Sequence, residues 1–190
     1  MIPAGYMAKR VSTRAEWLKA PQVVDIYSVS ACESACFGDF LEHWKHNGHW
    51  LFDSPALLQE VARADGIALS ETKLFYYEVH EFEFDDRDAR RPAIWSPLEA
   101  RMSLASNVVV PAEKALEGYD VTTFQNGNSP ECSPLSCNSL AEEVPTNQHC
   151  LLASFEQAHR LLEAGTFKNS EPGPFRILAV YSTPWPGLPQ

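Results

Sequence analysis

Long apolar runs are missing from this chain of 190 residues. No stretch of about 18 apolar residues occurs, so no membrane-spanning helix is expected. Residues 1–10 hold no apolar core and are interrupted by Lys9-Arg10, so no secretory leader is expected, residues 1–6 read as unstructured with Met7 as an alternative start, and the protein reads as cytoplasmic. Clusters of positive charge are equally scarce. Fifteen Lys and Arg against 25 Asp and Glu leave a net charge of −10, and the grouped Arg87, Arg90 and Arg91 are diluted by Asp85, Asp86 and Asp88. Such a surface repels phosphate backbones. It argues against nucleic acid and leaves two roles for the charge: simple solubility, or attraction to a basic protein. Several catalytic signatures are lacking too: the Walker loop, Gly-x-Gly-x-x-Gly, Gly-x-Ser-x-Gly and His-Glu-x-x-His. The five cysteines are an odd count, which argues against a disulfide framework and for reduced thiols.

What is present supports a packed core, with 45% hydrophobic and 21% charged residues. The patterns predict a compact α/β or α+β body, a mixed sheet with flanking helices. Its most legible part runs from Asn147 to Tyr181: a short apolar strand at 149–152, a helix capped by Ser154 with Gln157 three residues on, and an apolar strand at 175–181. An earlier stretch has the same grammar: Asn47, a short apolar strand at 49–52, a helix opened by Ser54-Pro55 with Leu57, Leu58 and Val61 on one side and Gly66 at its end, then a strand at 74–84. In that strand the apolar parity changes between Val79 and Phe82, which predicts a break near His80-Glu81. Other expected elements are a short helix after Thr13-x-x-Glu16 stopped by Pro21, a buried strand at 23–29, and a helix carrying Phe37, Phe40, Leu41 and Trp44. In the second half the pattern predicts a helical turn at 98–102, a short strand at 107–110, a brief helix at 112–116 closed by Gly118, a strand at 119–124 and a helical turn at 140–144. The chain divides into an N-terminal helix and tail (1–22), a first half (23–92), a second half (93–183) and a proline-rich tail (184–190), all in one body. The repeated element order suggests two pseudo-repeated β-α-β-α-β halves, with 25–84 superposing on 119–181 and His49 equivalent to His149. The alternative is two unrelated segments with a shared α/β grammar.

Cysteine is the residue type that carries the most chemical suggestion. Cys32-x3-Cys36 and Cys132-x4-Cys137 each follow the first strand of their half. Four thiolates from two such arms are a zinc pattern, because tetrahedral Zn²⁺ takes two ligands from each arm. The gaps are wider than the common two-residue spacing, and packing alone accounts for a small thiol beside a helix core. The expectation is therefore no cofactor, with zinc at Cys32, Cys36, Cys132 and Cys137 as the alternative. The candidate binding surface is the loop bearing Asn128, Glu131, Cys132, Ser133, Ser136, Cys137 and Asn138, braced by Pro130 and Pro134. His149 joins the candidates as a base for a loop cysteine; in a strand it would point away from its neighbour Cys150. His43, His46 and His49 read as solvated, and Glu78, Glu81, Glu83, Asp85 and Asp86 as an exposed acidic edge. Two functions from different classes follow. One is a soluble cytosolic binding protein without enzymatic activity, for example an inhibitor or antitoxin-like partner of a basic protein. The other is a cysteine- or zinc-dependent enzyme, or a zinc-stabilised protein, that uses the Cys132/Cys137 loop.

Overall fold

Among the described residues, six antiparallel strands form the main sheet, with three α-helices added to it. The computed structural model describes residues 1–30, 47, 49–86, 92–98, 107–124 and 132–187. The expected helix around Phe37 to Trp44 and the turn at 98–102 fall outside these residues, apart from Leu98. The middle of the sheet runs β1 (Ile2–Lys9), β4 (Lys73–Val79), β8 (Phe175–Thr183), β7 (Ala115–Thr123). Strands drawn from both parts of the sequence thus share one sheet. The predicted break in the long strand is real. β4 ends at Val79, His80 N–H donates to Ile177 O, and β5 (Phe82–Asp85) continues along the same edge of β8 to pair with β6 (Ile94–Pro97). A two-stranded ribbon of β2 (Ser12–Thr13) and β3 (Asp25–Ile26) lies apart from the sheet.

Register assigns the side chains to two faces. One face carries Lys9, Phe75, Tyr77, Val79, Leu178, Val180, Asp120, Thr122 and Arg176. Tyr27 packs edge-on against Phe75 at 4.9 Å between centroids, so residues 25–30 cover this face. The other face carries Tyr6, Tyr76 and Tyr181, a tilted aromatic row with spacings of 5.1 and 5.8 Å. Helix α3 (Phe155–Glu163) sets Phe155 against Tyr119 on that side and buries Ala158 and Leu162. Helix α1 (Pro55–Asp65) buries Leu58, Val61 and Ala62 near β1. Both helices start as the sequence predicts. Ser54 Oγ accepts from Leu57 N–H and Ser154 Oγ accepts from Gln157 N–H, which satisfies N–H groups that a helix start leaves unpaired.

Two asparagines build turns of the same design. Asn47 Oδ1 accepts from His49 N–H and Leu51 N–H, while its Nδ2 donates to Ala4 O at 2.7 Å. Asn147 Oδ1 accepts from His149 N–H and Leu151 N–H, while its Nδ2 donates to Glu117 O at 2.7 Å. Each turn places its fourth residue at positive φ, Trp50 at 56° and Cys150 at 62°. Residues 49–52 and 149–152 are therefore tight turns rather than the expected strands, and each touches a strand by a single bridge, Tyr6↔Phe52 and Tyr119↔Leu152. Each turn also presses on a glycine bulge, Gly5 at φ 134° and Gly118 at φ 150°.

Four expectations fail elsewhere. Residues 1–6, read as unstructured, enter β1, because Ala4 and Tyr6 bury against the core. The capping box at Thr13 forms no helix: Thr13 pairs with Asp25 in the small ribbon, and residues 14–20 hold only turns. The brief helix at 112–116 does not form: residues 112–113 are a bend and β7 starts at Ala115, with Gly118 as a bulge inside the strand, and residues 107–110 form no strand. In each case long-range pairing overrides a local signal. Residues 184–187 of the proline-rich tail lie over the surface, where Trp185 Nε1–H donates to Thr72 O and Gln59 Nε2–H donates to Pro186 O.

Candidate functional site

Asp120 is the anchor around which the cysteine loop is arranged. It sits in β7 among apolar neighbours and is wholly buried. Its Oδ2 accepts from Val29 N–H at 2.8 Å, and its Oδ1 accepts from Val121 N–H at 2.9 Å and from the Ser133 hydroxyl at 2.5 Å. One carboxylate thereby ties the segment over the sheet face to the start of the cysteine loop. Burial pushes the Asp120 carboxyl above its usual range; the Ser133 hydroxyl, the two N–H groups and the nearby Lys9 ammonium oppose that shift. Lys9, the second buried charge on this face, donates to Ser28 O and, at 2.9 Å, to Ser30 O. A buried cation and a buried carboxylate thus fix residues 28–30 from both sides, which sets the position of the Ser30 hydroxyl.

That hydroxyl faces Cys137. The Cys137 sulfur lies 3.9 Å from Ser30 Oγ and 3.8 Å from Ser136 Oγ. Helix α2 (Pro134–Cys137) is a single turn opened by Pro134, and Cys137 N–H donates back to Ser133 O at 2.8 Å. Thr123 and Cys132 exchange hydrogen bonds, Thr123 N–H to Cys132 O at 2.9 Å and Cys132 N–H to Thr123 Oγ1 at 3.3 Å, which brings Cys132 back beside the helix. The Cys132 thiol lies between Asn138 Oδ1 at 3.3 Å and the sulfur of Cys137. Hydrogen bonding from Cys132 lowers the Cys137 thiol from 9.0 to about 6, with the Ser133 N–H and the Ser136 and Ser30 hydroxyls adding to it and burial opposing it. At neutral pH such a group is mostly thiolate, the nucleophilic form of cysteine. Both cysteines are half-buried and unbridged.

Of the residues singled out from the sequence, Cys132, Ser133, Ser136, Cys137 and Asn138 do converge, and Asn138 Nδ2–H also donates to Glu171 Oε1 at 3.1 Å. Asn128, Glu131, Cys32 and Cys36 lie outside the described residues. His149 belongs to a different cluster. Its Nδ1 bonds Asp25, its ring stacks on Tyr27 at 4.0 Å, and its Nε2 lies 3.7 Å from Glu117 Oε2. Cys150 packs in the core. Among the described residues no group of three or more His, Cys, Asp or Glu side chains is placed to hold a metal ion.

Sequence reasoning missed Lys9, Ser30 and Asp120. No local signal marked Asp120: strand alternation sets it on the face opposite Tyr119 and Val121, where an acid ordinarily faces solvent. Among the described residues, Tyr77 Oη, Thr122 Oγ1 and Arg176 Nη1 on the same face, and His49 Nδ1 in its turn, are buried polar atoms with no hydrogen-bond partner. Arg176 is otherwise engaged, with its Nε and Nη2 both donating to Glu83 Oε2 at 3.1 Å. Burial and the Arg176 charge lower His49 from 6.5 to about 4. No protein-family description matches the chain, and no curated protein or solved structure matches it.

Proposed function

We propose that this protein acts through Cys132 and Cys137 as a dithiol that exchanges with disulfides. The observation that carries this reading is the Cys137 sulfur, lowered to about 6 by donors from Cys132, Ser133, Ser136 and Ser30. Cys137 thiolate attacks one sulfur of a disulfide RS–SR. The S–S bond breaks, a mixed disulfide forms on Cys137, and RS⁻ leaves and takes up the Cys132 proton. Cys132 thiolate then attacks the Cys137 sulfur, forms the Cys132–Cys137 disulfide and expels the second RS⁻, which takes a proton from water. Two thiols are oxidised and one disulfide is reduced. The net charge of −10 favours neutral or cationic disulfides over anionic ones, and a reactive dithiol of this kind suits the reducing cytosol. The test is alkylation of Cys137 by iodoacetamide as a function of pH, read by peptide mass. A midpoint near 6 that rises in Cys132→Ser is expected. A midpoint near 9, or a protein that stays fully reduced after equilibration with glutathione disulfide, would sink the proposal.

An interaction role is the second reading: docking to a basic protein, in an inhibitor or antitoxin-like manner. The acidic excess supports it, and association with a cationic protein should then weaken steeply with added salt. Zinc held by Cys132 and Cys137 together with Cys32 and Cys36 would compete with the redox role, and metal analysis of the reduced protein decides between them.

The same proposal includes an internal duplication with boundaries that differ from the sequence-based ones. The two asparagine turns, their glycine bulges and the serine-capped helices support a first copy starting at β1 rather than at residue 25, matched by a copy starting at β7. β4 and β8 would then be equivalent strands paired across the pseudo-axis at Tyr77↔Val180.

A further inference from the structure

A cleft of about 770 Å³ opens where β4 and β7 begin and β8 ends. Its apolar lining includes Leu69, Leu74 and Trp185, and its charged lining is Lys73, Lys114 and Glu113. The indole is held in place by the Trp185 Nε1–H bond to Thr72 O at 3.2 Å. Gln59 fixes the next residue of the tail through Pro186 O at 2.9 Å, so this wall is preorganised. Lys73 follows the β4 register to a position opposite Pro184, and Glu113 follows the β7 register to the same level on the other side of β8. Two strand spacings, about 10 Å, separate their backbones. Neither charge is neutralised within the described residues. Lys73 Nζ donates only to the Tyr27 hydroxyl and lies 4.5 Å from that ring, and the Glu113 carboxylate has no cationic partner there. The neighbouring Lys114, by contrast, is consumed by Glu78 at 2.5 Å.

Apolar surface from Leu69 and Trp185 beside an ammonium and a carboxylate that have no ionic partner among the described residues is the complement of a small zwitterion. We propose that this cleft binds an α-amino acid with an apolar side chain: its carboxylate on Lys73, its ammonium on Glu113, its side chain against Trp185. A simple hydrophobic anion would leave Glu113 facing it, and a simple cation would face Lys73, so like-charge contact selects against both. The site is separate from the dithiol, and the proposal does not rest on thiol chemistry.

Isothermal titration calorimetry with L-phenylalanine, 3-phenylpropanoate and phenethylamine tests it. Phenylalanine is expected to bind in the micromolar to millimolar range, with both single-charge analogues at least about tenfold weaker, the worth of one lost charge contact. Lys73→Met should weaken phenylalanine about tenfold and leave phenethylamine no weaker, and Glu113→Gln should do the mirror image with 3-phenylpropanoate. Both side chains are exposed, so circular dichroism should show both variants folded. Absence of any heat with phenylalanine and leucine on the folded wild type, equal binding of all three probes, or indifference to both substitutions would each overturn the proposal.

Discussion

Gly118→Ala is the most informative single substitution, because the structure separates its two costs. A Cβ at Gly118 would stand 2.8 Å from Leu151 Cβ, 2.8 Å from Leu152 O and 3.2 Å from Asn147 Nδ2, at a φ of 150°. The nearest obstacles are a backbone oxygen and a Cβ, neither of which can rotate away. Holding a non-glycine residue at such a φ costs about 1–3 kcal/mol, and forcing extra volume into a packed site costs about 1–3 kcal/mol more. The sum, about 2–6 kcal/mol, corresponds to a loss of about 4–24 °C in Tm for a chain of this size. Gly165 provides the control. Its φ is 73°, and a Cβ there would meet nothing within 4 Å, so Gly165→Ala carries backbone strain alone and should lose only about 2–8 °C. Gly5→Ala, whose Cβ would meet Leu51 Cβ at 2.8 Å and Phe52 O at 2.9 Å, should match Gly118→Ala. Differential scanning calorimetry on the three variants gives the answer. If Gly118→Ala is as mild as Gly165→Ala, the close turn-on-bulge packing is refuted; if Gly5→Ala and Gly118→Ala differ widely, the proposed equivalence of the two halves loses its support.

Other perturbations have equally definite outcomes. Ser54→Ala and Ser154→Ala should each cost about 1 kcal/mol through a lost cap, read from denaturant midpoints. Leu162→Ala empties a buried position under the sheet and should cost about 2–5 kcal/mol by the same assay. His49, lowered to about 4 by burial and by Arg176, is neutral when folded and charged when unfolded at mildly acidic pH. Its contribution is therefore fully present above about 6.5 and is lost as pH falls towards 4, by up to about 3 kcal/mol. Urea titrations at pH 7 and pH 4.5 should show that loss shrinking in His49→Phe, and an unchanged pH dependence would count against a buried neutral imidazole. Asp120→Asn keeps the shape but loses an acceptor for Ser133 or Val29, so the alkylation midpoint of Cys137 should rise; a midpoint identical to wild type would detach Asp120 from the dithiol.

Capped helices were the most legible features of the sequence, because a cap is a local event. Ser54, Ser154 and Gly66 do in the structure what their side chains and backbone allow within a few residues. The parity change around His80-Glu81 was legible for the same reason. Residues 49–52 and 149–152 misled, since an apolar run is compatible with a strand until the asparagine side chain takes the backbone N–H groups that a strand would need. β1 was missed because its pairing and burial come from distant partners, above all β4, some seventy residues away, and the 49–52 turn. At the site, the Cys132–Asn138 loop stood out through its prolines and thiols. Lys9 and Asp120 did not, since no local pattern announces two charges that meet only after the sheet is built.

The position of β8 has a consequence for synthesis. Of the strands in the sheet, β8 is made last, yet it lies between β4 and β7. As the chain leaves the ribosome, β4 with its run Leu74-Phe75-Tyr76-Tyr77 has no partner on one edge until Phe175 and the residues after it emerge. At typical elongation rates that wait lasts about 5–20 s. An open, aromatic strand edge is a template for pairing with other nascent chains. Soluble yield should therefore follow translation speed and holdase supply, and variants that slow the arrival of β8 should aggregate while the purified, folded protein melts at an unchanged temperature.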